Sequence, residues 1–201
     1  AAGKIKGSRF IKREGRPSDD AVLSGRAVDR TVRPLFDSRM RNEVQVVVTT
    51  LSVDGENDPD LVAMIGASAA LTLSDIPWNG PIGAVRVGLA EDGSFVLNPT
   101  SEERKVSNLD LLLSGTKDKI NMIEAGANEI TEEKMAEAFH FGFTAIQKIA
   151  SFIEDIRKEG GKEKRAAAVL RGDEAFEADI RKVAMASGLA EALYLLPKQA
   201  M

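Results

Sequence analysis

The residues best suited to binding a ligand lie near the start of the chain, in the stretch FIKREGRPS at residues 10–18. Its cations are Lys12, Arg13 and Arg16, and Phe10 stands beside them on a segment whose glycine and proline are typical of a loop. Single-stranded nucleic acid is commonly held by cations along its phosphates and flat side chains against its bases. The stretch therefore indicates a phosphate-rich, single-stranded ligand.

A second set of cations follows on a predicted helix over residues 19–33. Ser18 is a suitable N-cap and Pro34 a suitable stop. At about 100° per residue, one face carries Arg26, Arg30 and Arg33. The opposite face is predicted to be apolar and carries Ala21, Gly25, Val28 and Val32. The arginine face indicates bidentate phosphate contacts, and the alternative is ion pairing with acids of the same domain, Asp29 and Asp37 included.

Charge is polarised along the chain. The first 42 residues hold eleven Lys or Arg and five Asp or Glu, a balance of +6, although the whole chain has a net charge of −4. Such a basic block in an acidic protein indicates an anion-facing surface, with phosphate as the expected anion. For residues 1–9 alone, a basic N-terminus without a special role is an equal alternative.

Composition excludes several kinds of site. There is no cysteine and one histidine, so disulfides, thiol nucleophiles, Cys-ligated zinc and multi-His metal sites are excluded. His140, between two phenylalanines, is interpreted as a packed or rim residue, and no metal ligands are expected. No apolar run reaches the ~18 residues of a membrane span, so a cytoplasmic protein without membrane contacts is expected.

The pattern of apolar residues predicts an α+β domain to about residue 160, followed by a small all-α segment. After the first helix, the predicted elements are a buried strand over 44–53, a buried helix over 58–73, hairpin strands over 83–89 and 95–97, further hairpin strands over 109–113 and 120–124, and a long amphipathic helix over 131–158. A charged, exposed linker over 162–165 is then expected to lead into short helices over 173–187 and 189–196. Arg86 interrupts an apolar strand, which indicates either a second phosphate contact or a cross-strand ion pair.

Several stretches together resemble the polynucleotide phosphorylase (polyribonucleotide nucleotidyltransferase) family. They are FIKREGRPS (10–18), GRAVDRTVRPLF (25–36), the run from residue 42 to 88, LNPT (97–100) and LDLLLSGT (109–116). The resemblance implies an RNase PH-like core, a mixed sheet with packed helices, over residues 1–160, and the start of an α-helical linker domain over 161–201. It further implies a fragment, N-terminally truncated within the first of two such cores.

The resemblance implies a phosphorolytic 3′-to-5′ exoribonuclease that uses inorganic phosphate and releases nucleoside diphosphates. Phe10, Ile11, Lys12 and Arg13 correspond to the family's RNA-contacting loop, with isoleucine replacing an aromatic residue and lysine an arginine. Arg26, Arg30 and Arg33 match basic positions that face the RNA or phosphate path. The family's phosphate-binding serines and its Mg²⁺ ligands belong to the second core, so no catalytic residue is expected in this chain and it is predicted to be inactive alone.

The partners that the resemblance implies are single-stranded RNA, two further copies in a ring-shaped homotrimer, and proteins of RNA-degradation complexes. Three alternatives stay open at this point. They are a noncatalytic single-stranded RNA-binding module, an RNase PH-like enzyme that processes tRNA 3′ ends, and a small-molecule enzyme whose arginines clamp a phosphorylated metabolite.

Overall fold

The structure is a computed structural model that describes residues 18–167, 169, 172–189 and 192–193. The chain divides into two compact units, one of residues 1–37 and 43–166 and the other of residues 38–42 and 167–201. Phe10, Lys12, Arg13 and Arg16 lie outside the described residues, so their predicted roles stay predictions.

The first unit is built on a four-stranded antiparallel sheet. Its strands are β1 (Gly83–Leu89), β2 (Phe95–Leu97), β3 (Leu109–Gly115) and β4 (Ile120–Ala127), in the order β2-β1-β3-β4. Both hairpins are confirmed, as is the α+β class. A mixed sheet was expected, whereas every ladder among the described residues is antiparallel.

Helices cover both faces of this sheet. They are α1 (Asp19–Val32), α2 (Pro59–Leu73) and α4 (Glu132–Gly160). Because successive side chains on a strand point to opposite faces, Ala84 and Leu112 pack with α1 and α2, whereas Val85 and Leu113 pack with α4. The two hydrophobic cores therefore lie above and below one sheet.

The helix ends follow their sequence signals. Ser18 Oγ accepts a hydrogen bond from the backbone N–H of Ala21 at 3.2 Å, and the carboxylate of Asp58 accepts one from the N–H of Asp60 at 3.2 Å. The three predicted helices of this unit are confirmed. A short helix, α3 (Ser101–Val106), was not predicted, although the capping box of Thr100 and Glu103 marks its start.

The predicted strand over residues 44–53 is wrong. This segment has no regular secondary structure, and Val47 and Leu51 are 73% and 93% exposed. Its β-branched residues favour an extended backbone. A strand also needs a neighbour to pair with its N–H and C=O groups, and no described segment forms a ladder with this one.

The predicted charged, exposed linker over residues 162–165 is confirmed as exposed except at Lys164, which is half-buried. The segment is also bound to the end of α2, which was not predicted. The backbone N–H of Lys162 donates to the carbonyl of Leu73 at 2.9 Å. Lys164 Nζ donates to three carbonyls of the same helix end, those of Leu71, Thr72 and Ser74, at 2.7, 3.1 and 2.8 Å. The last carbonyls of a helix have no partner within it, and here the segment supplies their donors.

The second unit contains one helix of the predicted pair, α5 (Glu174–Ala186), whose N-cap is Asp173. Met40 forms an isolated antiparallel bridge with Val169 in the same unit. The second predicted helix, over 189–196, falls mostly outside the described residues. None of the described helices is long and apolar enough to cross a membrane.

Candidate nucleic-acid interface

Helix α1 presents its three arginines on an exposed face. Arg26, Arg30 and Arg33 are all exposed, and Arg33 directly follows the last helical residue. The buried residues of the helix are Ala27, Val28, Thr31 and Val32. Of the apolar face, Val28 and Val32 are buried, whereas Ala21 and Gly25 are exposed, because only the final turns of α1 pack on the core.

Two side chains hold the C-terminal end of α1 against the domain. Asn121 Nδ2 on β4 donates to the carbonyl of Thr31 at 2.7 Å, and Trp78 Nε1 donates to the carbonyl of Val32 at 3.0 Å. Ser114 Oγ donates to Asn121 Oδ1 at 2.9 Å, which orients the amide. These bonds satisfy two carbonyls that the helix leaves unpaired and so fix where the arginines project.

The arginines differ in what they contact. Arg30 Nη1 lies 3.1 Å from Glu124 Oε2 on β4, and their side chains are 51% and 61% exposed. Arg33 binds Asp29 through Nε and Nη2 at distances of 2.6 to 3.0 Å. Arg26 has no ion pair with the described residues. The face therefore combines one open guanidinium with two that hold solvent-exposed carboxylates.

Arg86 lies in the ion-pair arrangement that was one of its two predicted roles. Its Nη1 donates to Asp110 at 2.6 Å and its Nη2 to Asp58 at 2.9 Å. Arg104 of α3 donates to the same two carboxylates, to Asp58 at 3.1 Å and to Asp110 at 2.9 Å. The four side chains form a closed ring, which we call the arginine–aspartate ring.

The charged side chains of the arginine–aspartate ring are partly buried. Arg86 is 8% exposed, so its aspartates offset the loss of solvation of its guanidinium. Burial pushes the pKa of Asp110 upward, but the hydrogen bonds and charges of Arg86 and Arg104 outweigh it and hold that pKa below its ordinary value. Both Nη groups of Arg86 bind carboxylates, so a phosphate would have to replace one of them. The predicted phosphate contact of Arg86 stays a prediction.

Sequence reasoning missed most of this ring. Asp110 stands in an apolar strand as Arg86 does, and that shared anomaly was the available signal. The sequence indicates Asp58 only as the start of the helix over 58–73, and Arg104 lies on the helix that was not predicted. The ring also depends on the register that places Gly88 opposite Asp110 and Arg86 opposite Leu112.

The described residues do not offer a metal site. No group of three or more His, Cys, Asp or Glu among them is arranged to hold a metal ion. The Mg²⁺ ligands that the resemblance implies belong to the second core. His140 is exposed on α4.

Two family models match the sequence of this chain. The model of the 3′ exoribonuclease family, domain 1, matches residues 1–77, and the model of domain 2 of the same family matches residues 80–145. Both matched stretches contribute to the interface, since α1 lies in the first and Glu124 in the second.

Individual relatives agree with these matches. The chain is 55% identical over 184 residues to a polyribonucleotide nucleotidyltransferase of Alkaliphilus oremlandii and 51% identical over 186 residues to that of Geobacillus kaustophilus. Each alignment covers 92% of this chain but 26% and 25% of the relative, so the chain spans about a quarter of their length.

A solved structure supports the fold alone. The crystal structure of rice (Oryza sativa) Rrp46 matches with a TM-score of 0.55 at 16% identity, over 71% of this chain and 68% of that one.

The two family models describe successive domains of one family and together match more than half of the sequence. The chain therefore belongs to the 3′ exoribonuclease family.

Proposed function

We propose that this chain is part of a phosphorolytic 3′-to-5′ exoribonuclease, a polyribonucleotide nucleotidyltransferase, and that it supplies an RNA-binding surface. The exposed arginine face of α1 carries the proposal. The identity of 55% and 51% to proteins of that name supports the reaction class. In that reaction an oxygen of inorganic phosphate attacks the terminal phosphodiester phosphorus, and the bond to the preceding 3′ oxygen breaks. A nucleoside diphosphate leaves, and the shortened RNA takes up a proton as its new 3′ hydroxyl.

The arginine face suits an extended polyanion. Residues 26 to 33 span about 10 Å of helix axis at 1.5 Å per residue, so one strand can contact the three guanidinium groups in succession. Arginine binds phosphate bidentately and loses hydration more readily than lysine. The anchoring of α1 by Asn121 and Trp78 means that the contacts form on a helix already in place.

The existing ion pairs do not prevent RNA binding. Both Arg30–Glu124 and Arg33–Asp29 are exposed to solvent, and exposed pairs contribute only about 0–1 kcal/mol. A phosphate can therefore replace the carboxylate on either arginine at small cost. Arg26 has no ion pair to replace among the described residues.

The phosphate substrate and the oligomeric state of the enzyme are also part of the proposal. We propose that the enzyme takes inorganic phosphate as a substrate and assembles as a homotrimer around its RNA. Both rest on the resemblance of the sequence segments given above. For the described residues we assign binding and positioning roles only.

The experiment is a fluorescence-anisotropy titration of a labelled single-stranded oligouridylate with the full chain. The test variant is Arg26→Ala with Arg30→Ala, and the matched control is Lys148→Ala with Lys158→Ala. The control removes the same charge from exposed positions on α4, across the sheet from α1. Weaker binding by the test variant alone, with thermal stability retained, supports the proposal. Equal affinities for the two variants contradict it.

A further inference from the structure

The carboxylate of Glu124 pairs with Arg30 on the arginine face, where the proposed function expects a phosphate of RNA to bind. We propose that Glu124 acts as a built-in competitor of RNA for Arg30, lowering the affinity of the surface and favouring polymers over single phosphates. This inference rests on the proposed function, because it concerns the same arginine face. It assigns a specificity-determining role to a residue on β4.

The contact between Arg30 and Glu124 resembles a phosphate contact. Glu124 Oε2 accepts from Arg30 Nη1 at 3.1 Å. A carboxylate and a phosphate can each present two acceptor oxygens to a guanidinium, and either can bind the same nitrogen. The oxygen of Glu124 therefore stands in for an oxygen of an RNA phosphate.

The pairing is built into the fold. Arg30 precedes Thr31, whose carbonyl accepts the hydrogen bond from Asn121 on the same strand that carries Glu124. Glu124 is placed by its register opposite Leu112 on β3. The Asn121 bond and the β3–β4 ladder thus keep Arg30 and Glu124 within reach of each other, although they are 94 residues apart in sequence.

Exposure makes this competition reversible. With the two side chains 51% and 61% exposed, water and an incoming phosphate reach both charges. Each exposed pair that must be broken reduces affinity about two- to fivefold. Asp29 on Arg33 imposes a second such penalty, with the two charges at 2.6 Å.

Selectivity for polymers follows from these penalties. A single phosphate that takes Arg30 must displace Glu124 and gains one contact in return. When an RNA strand is already bound at Arg26, its next phosphate is present at high local concentration near Arg30. Displacing Glu124 therefore lowers the affinity of the strand less than that of a single phosphate. Because the Arg30–Glu124 pair is exposed, it weakens as ionic strength rises, and the competition is strongest at low ionic strength.

The test compares Glu124→Gln with Glu137→Gln by titrating the full chain with labelled oligouridylate at low ionic strength. Glu137 is a close control, because it is 62% exposed and lies 3.1 Å from its own partner, Lys134 on α4. The expected result is a two- to fivefold tighter affinity for Glu124→Gln than for Glu137→Gln. Equal changes in the two variants would mean that net charge alone acts, and weaker binding by Glu124→Gln would mean that Glu124 positions Arg30. Either result overturns the inference.

A double-mutant cycle separates this inference from the proposed function. In an Arg30→Ala background, the gain from Glu124→Gln should vanish, because Glu124 acts through Arg30. A gain that persists there contradicts the competitor role. If Arg26→Ala with Arg30→Ala leaves RNA binding unchanged, the proposed function itself fails. If those arginines matter but Glu124→Gln matches its control, only the competitor role fails.

Discussion

Arg86 on β1 and Asp110 on β3 are joined by a 2.6 Å hydrogen bond between a guanidinium nitrogen and a carboxylate oxygen. The same carboxylate accepts from Arg104 through its other oxygen at 2.9 Å. Asp110 therefore connects two neighbouring strands and α3 at once. Asp58, which accepts from the same two arginines, adds the start of α2 to the arginine–aspartate ring.

Replacing Asp110 by asparagine should destabilise the domain. Arg86 would then keep a single aspartate, and the loss should be about 1–3 kcal/mol, less than for a fully buried pair because Asp110 is partly exposed. The free energy of unfolding from denaturant titration measures it. Asp155→Asn on the exposed surface of α4 is the control and should change little. Equal stabilities of the native chain and Asp110→Asn would show that the ring is dispensable.

The contribution of Asp110 should depend on pH in a defined direction. Its pKa is lowered in the folded state, so the folded chain binds its proton less readily than the unfolded chain does. The stability it provides is complete above the unfolded-state pKa of about 3.9. It is lost as the pH falls through the lower folded-state value. Denaturant titrations of the native chain and Asp110→Asn across the acid range should therefore converge, and a constant difference down to the most acidic pH would contradict this assignment.

Lys164→Met should weaken the attachment of the segment that follows α4 to the end of α2. The methionine keeps the apolar stem but removes three hydrogen bonds to the carbonyls of Leu71, Thr72 and Ser74. A loss of roughly 1–2 kcal/mol in the free energy of unfolding is expected. Lys162→Met is the control, since only the backbone of Lys162 is bonded there. Equal free energies of unfolding for Lys164→Met and Lys162→Met would contradict this expectation.

Sequence reasoning succeeded where local signals were sufficient. Ser18 caps α1 with its own side chain, and it lies within a few residues of the apolar pattern that it begins. The hairpins likewise follow from alternating strands around short turns. Such elements need no knowledge of distant residues.

The failures involve partners far along the chain. Residues 44–53 have strong β-propensity, but propensity cannot supply a neighbouring strand. Lys164 appeared to be an exposed charge because the carbonyls it binds lie 90 to 93 residues away. The Arg30–Glu124 pair depended in the same way on the placement of β4 beside α1.

Hydrogen exchange checks the unpaired state of residues 44–53. Amides of β1 and β3, which are paired in ladders and buried, should exchange slowly. Amides of residues 44–53 make no ladder and should exchange at rates near those of an unfolded peptide. Protection of this segment equal to that of β3 would show that it pairs as a strand after all.

The most direct test of the central claim is the salt dependence of RNA binding. The logarithm of the binding constant for single-stranded RNA falls with the logarithm of salt concentration, with a slope of about −0.7 per phosphate contact. Removing Arg26 and Arg30 together should therefore reduce the steepness by about 1.4, whereas Lys148→Ala with Lys158→Ala should leave the slope unchanged. A slope identical to that of the native chain in the arginine variant would contradict the claim that the RNA path crosses α1.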